Sequence, residues 1–140
     1  MQKWRVTAIG MAAAIVLAVA IPAQGHHAFG AEFDPSRPIL LKGKIVKIEW
    51  VNPHAWIHVE VVSSGGAKDV WMIEGGSPNS LLRRGVTKDS LKVGTEIIVD
   101  GYQARDYTLK RANGRNITYP DGRKLFLASS APDAEDRNVK

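Results

Sequence analysis

The chain has 140 residues and a formal charge of +5, from 19 Lys and Arg against 14 Asp and Glu, and it contains no cysteine. Without cysteine there is no disulfide, thiolate metal site, cysteine nucleophile or lipidated N-terminal cysteine. The basic residues are scattered among acidic ones, which points to a solvated surface and away from a nucleic-acid partner.

The first element is a leader. Lys3 and Arg5 precede an uncharged run from Val6 to Ala20, and Ile21-Pro22-Ala23-Gln24-Gly25 follows. A basic start, a short apolar run and small residues at a cleavage point make a secretory signal peptide. Pro22 ends the apolar helix, because it lacks a backbone donor and clashes with the preceding turn. The run falls short of the roughly 20 residues that span a bilayer, so residues 1–25 are expected to be cut away rather than kept as an anchor. Ala23 and Gly25 sit where the peptidase reads small side chains, which places the cut before His26; a cut after Ala23 is the competitor. Lys3 and Arg5 leave with the leader, so 115 residues with a charge of +3 remain. That is one domain with a modest core, expected in the periplasm with no membrane contact after cleavage.

Residues 26–38 hold His26, His27 and two prolines and read as an N-terminal arm. Leu40 to Val51 is rich in β-branched residues, and its apolar parity switches between Ile45 and Val46, as in a strand bent by a bulge. Asn52-Pro53 breaks the run. In the second strand, Ala55 to Val62, Ile57, Val59 and Val61 alternate with Trp56, His58 and Glu60. A turn over Ser63 to Gly66 leads to a third strand, Asp69 to Glu74. Ser77-Pro78 opens a short helix that Gly85 stops. A fourth strand runs from Thr95 to Tyr102, residues 104–115 read as a polar loop, and Ile117 to Leu127 forms a hairpin about Pro120-Asp121-Gly122. The order predicts an all-β domain over residues 39–129, a small five-stranded OB-like barrel with one short helix, followed by a flexible tail over residues 130–140. An open β-sandwich is the rival architecture.

All four histidines, His26, His27, His54 and His58, lie in the first part of the exported chain. An N-terminal histidine binds one metal ion through its amine and its ring together, and a second imidazole from the fold completes a three-nitrogen T, the arrangement known as a histidine brace. Copper(II) suits tetragonal nitrogen donors and heads the divalent affinity order. Four residues of regular strand span roughly 13 Å, so His54 and His58 do not share an ion. His54, beside the Asn52-Pro53 turn, is the first choice of internal ligand, with His58 in reserve. Glu32, Asp34 and Glu74 are candidate oxygen ligands or outer partners. Trp50, Trp56 and Trp71 fall on adjacent strands, as packing residues or as a platform for sugars. No Gly-x-Ser-x-Gly elbow or phosphate-binding glycine loop is present, and no catalytic residue is singled out.

His26-His27-Ala28-Phe29, Phe33-Asp34, Gly43, Trp50, Asn52-Pro53-His54, Trp71, Glu74, Ser77-Pro78, Leu82, Arg84-Gly85, Gly94 and Asp121-Gly122-Arg123 together resemble the exported bacterial proteins grouped as Domain of Unknown Function 6152. The resemblance implies a periplasmic, soluble, β-rich protein in which His26, His27 and His54 carry whatever is specific. It also favours the cut before His26, since members place two histidines directly after the leader. The ligand chemistry adds a copper-binding module for storage, delivery or sensing. A metal-free module that binds a partner protein or saccharide is the alternative, and a copper oxidase or oxygenase stands third.

Overall fold

The computed structural model describes residues 29–128. The expected leader over residues 1–25, the residues His26 and His27, and the tail over residues 130–140 lie outside the described residues. A helical turn over residues 29–32 enters a chain of strands and one helix. These are β1 (Phe33–Glu49), β2 (Trp56–Val62), β3 (Lys68–Glu74), α1 (Pro78–Arg83), β4 (Glu96–Ala104), β5 (Arg111–Thr118) and β6 (Lys124–Phe126).

Five of the strands form a closed ring in the order β1, β2, β3, β5, β4 and back to β1. Every junction is antiparallel except β3 with β5, which is parallel. β6 continues the sheet beyond β5 as a sixth strand. A five-strand ring with its helix between the third and fourth strands is the OB-like arrangement the sequence predicts, and the open sandwich does not occur. β1 closes the ring by serving two partners, pairing with β4 from Phe33 to Lys44 and with β2 from Lys44 to Glu49. Its register with β2 slips between Ile45 and Lys47, where the apolar parity changes, because one extra residue on one strand bends it.

Two boundaries differ from the sequence reading by more than two residues. β1 begins at Phe33 rather than Leu40, so the second half of the segment read as an arm belongs to the sheet. Pro35 and Pro38 are tolerated there because this stretch has β4 on one side only. The polar loop read over residues 104–115 is shorter, since β5 begins at Arg111. That strand hides its periodicity by burying the small or polar residues Ala112, Asn113 and Gly114. A Cβ on Gly114 would lie 2.6 Å from Ile73 Cγ2 and 2.7 Å from Leu127 Cδ2, so close packing replaces apolar alternation.

Ile45, Ile57, Val59, Ile73, Ile97, Val99 and Ile117 fill the inside of the ring, and Leu81, Val86, Leu91 and Leu127 extend the same core. α1 begins as expected: the Ser77 hydroxyl accepts the Ser80 backbone N–H at 3.2 Å, and Pro78 takes the first turn, where no donor is needed. Gly85 follows at φ +79°, a left-handed conformation that suits glycine. Replacing the cap, Ser77→Ala, is expected to cost about 1 kcal/mol in urea unfolding with an unchanged m-value. An unaltered midpoint would mean that Leu81 packing alone holds the helix.

Candidate functional site

His54 does not lie on the regular part of β2. The chain turns through a cis Asn52–Pro53 peptide, and β2 begins only at Trp56. The backbone is nevertheless fixed, because Ala55 N–H donates to Gly76 O at 3.0 Å and Gly75 N–H to Ala55 O at 2.8 Å. These bonds set the His54 ring beside the end of β3. Its Nδ1 is 3.2 Å from the Gly75 carbonyl oxygen and 3.5 Å from Glu74 Oε1. A carbonyl only accepts, so Nδ1 is the donor in this contact and Nε2 is the ring nitrogen left for another partner. The side chain is 36% exposed, and its Nε2 takes no hydrogen bond among the described residues.

Behind the ring sits Glu74, 8% exposed at its side chain. Trp56 is its register partner on β2 and Asn113 on β5, so three elements meet at this carboxylate. Asn113 Nδ2 approaches it at 3.5 Å, and an Arg111 terminal nitrogen at 3.7 Å. Burial pushes the Glu74 carboxyl above its ordinary range. The charges of His54 and Arg111 and the Asn113 contact pull it back in part, while Glu32 adds repulsion. Arg111 also pairs with Glu32 and lies over the Trp56 ring at 4.4 Å. Glu32, Arg111, Glu74 and His54 therefore form one contact chain from the foot of the N-terminal segment to the half-buried imidazole.

The other candidates are placed elsewhere. His58 lies on β2 with its Nε2 2.9 Å from Glu49 Oε2, and its side chain is only 13% exposed. Glu49 also takes Lys47 at 2.6 Å, and these two partners, Lys47 first, lower its pKa. Trp50 and Trp71 pack against the core while Trp56 carries Arg111, so the three rings do not form one platform. Asn116, within an Asn-Ile-Thr triplet, lies in β5 and donates to Asp100 at 3.1 Å. Among the described residues, no three His, Cys, Asp or Glu side chains are grouped as a metal site. Arg111, the hub of the contact chain, is missed from sequence because it opens a strand that reads as a loop.

Asp34 is engaged away from His54. It accepts from Ser36 Oγ and Tyr107 Oη, each at 2.6 Å, and from Ser36 N–H at 3.0 Å. These bonds, with Arg105 nearby, lower its pKa to about 2. The folded pKa lies below the unfolded value of about 3.9. Stability from this group is therefore complete above about pH 4 and is lost as pH falls from there towards about 2. Asp34→Asn is expected to be less stable than wild type at pH 7, with the gap in melting temperature closing between pH 4 and 2. A gap that stays constant over that range would place the effect in shape rather than charge.

A family model described as a family of unknown function (DUF6152) matches residues 13–113, a span that holds His26, His27, His54, Glu74 and Arg111. Neither the curated proteins nor the solved structures contain a match to this chain.

Proposed function

The chain belongs to the DUF6152 family, whose description assigns no function, and from its own residues we propose that it is an exported copper(II)-binding module for metal storage, delivery or sensing. The ligands are the amine and ring of His26, freed by removal of residues 1–25, and Nε2 of His54. His27 stands next to the chelate, and His58 is held back by its bond to Glu49.

The observation that carries the reading is the setting of the His54 ring. Its Nδ1 lies at hydrogen-bond distance from the Gly75 carbonyl, with the Glu74 carboxyl close behind, and Nε2 takes no hydrogen bond among the described residues on a side chain that is 36% exposed. Metal-binding histidines are held in this way, one ring nitrogen donating to a carbonyl or carboxylate while the other binds the ion. The foot of the N-terminal segment is tied to the same place, since Glu32 is joined through Arg111 to the Glu74–His54 pair.

The test is copper(II) titration of a chain that begins at His26, followed by electron paramagnetic resonance. One ion per chain with tetragonal, all-nitrogen hyperfine structure is expected. No binding at neutral pH would overturn the proposal.

A further inference from the structure

The geometry points to a specific role for Arg111. It is a positioning residue that docks the foot of the N-terminal segment, Phe29 to Phe33, onto the barrel next to the carboxylate behind His54, and so raises the affinity of the proposed copper site. The inference rests on the copper reading for its purpose, but the docking itself stands on described residues.

Arg111 faces two carboxylates from different parts of the chain. One terminal nitrogen pairs with Glu32, in the helical turn before β1, and is also 3.7 Å from Glu74 Oε2, at the end of β3. The guanidinium lies over Trp56 at 4.4 Å and towards the Phe33 ring at 6.0 Å. A planar guanidinium stacks on an aromatic face while its edge bonds carboxylates, and the compact ammonium of lysine does not do both. The same segment is gripped from the loop before β5. Arg105 Nε donates to Gly30 O at 2.6 Å, and Arg105 N–H donates to Glu32 O at 2.9 Å. Phe29 adds an edge contact with Tyr102 at 5.8 Å. Within this grip, Arg111 alone also touches the carboxylate behind His54.

Docking removes freedom that metal binding would otherwise have to remove, which is how preorganisation raises affinity. Two changes test it in the chain that begins at His26: Arg111→Lys, which keeps the charge and loses the stacked fork, and Glu32→Gln, which alters a partly exposed group and leaves the Glu74 contact intact. Without metal, both are expected to speed amide hydrogen exchange in Phe29 to Phe33 and to weaken the nuclear Overhauser contacts between the Phe29 and Tyr102 rings. With metal, both are expected to lower copper(II) affinity by about tenfold, and neither should lower it further once His54→Ala is in place.

Unchanged exchange in both variants overturns the docking. Faster exchange with unchanged copper affinity overturns the positioning role, as does an equal loss of affinity in the His54→Ala background. If wild-type protein binds no copper while exchange still responds to Arg111→Lys and Glu32→Gln, the copper reading and the positioning role fall and the docking stands.

Discussion

Gly43→Val is expected to lower stability by about 3 kcal/mol or more, a fall in Tm on the order of 15 °C for a domain of this size. Gly43 pairs with Ile97 on β4, and the next residue, Lys44, pairs with both Glu96 on β4 and Glu60 on β2. At this corner β1 passes from one partner to the other and closes the ring. β2 comes so close there that a Cβ on Gly43 would lie 2.2 Å from the Glu60 carbonyl oxygen and 2.8 Å from Val59 Cγ1. The first of those atoms is backbone. It moves only if the β1–β2 pairing opens, and a branched side chain adds further crowding against Val59, which is fully buried. Gly65→Ala is the control, since a Cβ there meets nothing within 4 Å, and it is expected to change stability by less than about 0.5 kcal/mol. A melting temperature for Gly43→Val equal to that of the control would mean that the ring yields at this corner.

The bend in β1 was readable because its apolar parity changes between Ile45 and Val46, two residues after that glycine. Much of the remaining fold was legible for the same reason: local chemistry and local structure agree. Ile57 and Val59 alternate with Trp56 and His58, and the alternating residues enter the core as expected. Ser77-Pro78 and Gly85 bound a helix whose cap is visible in four residues. Where tertiary packing does the work, the signal is lost. β5 buries Ala112, Asn113 and Gly114, which are small or polar, so its pattern is one of size and not of hydropathy. Pro35 and Pro38 read as an arm because the sequence does not reveal that β1 is paired on one side only at that stretch.

The candidate site divides along the same line. His54 was legible as the histidine beside a turn, and His58 as one confined to a strand. Their separation was not, since the roughly 13 Å figure assumes regular strand and β2 begins after His54. Glu74 was one of three carboxylates that sequence could not rank. Its place behind His54 follows from the register of Trp56 with Glu74, a contact set by the whole β2–β3 ladder. Asp34 goes to Tyr107 and Glu32 to Arg111 for equally non-local reasons. A pairing across the ring has no signature in either partner's own neighbourhood.

The second large effect concerns the amine. A chain beginning at His26 is expected to lose its tight copper(II) site when the amine is acetylated, because an amide nitrogen no longer offers a lone pair to the metal. Acetylation is a cleaner change than a short extension. One or two added residues would bring His27 or His26 to the third position of the chain, where a free amine, two deprotonated amide nitrogens and that imidazole build a different square copper site. Three added residues avoid this and are expected to act like the acetyl group. His54→Ala is expected to weaken binding by about 100-fold or more, beyond the range that outer partners of a metal cost, with one nitrogen lost from the hyperfine pattern. His58→Ala should leave affinity and spectrum unchanged, since its ring is held by Glu49 on the strand. Binding should also weaken as the solution is acidified, because protons compete for the same nitrogens. Two results would bring the brace down: full affinity in the acetylated chain, or a His54→Ala spectrum identical to wild type. Either would mean that copper, if bound, sits on donors other than the amine and the ring that Gly75 orients.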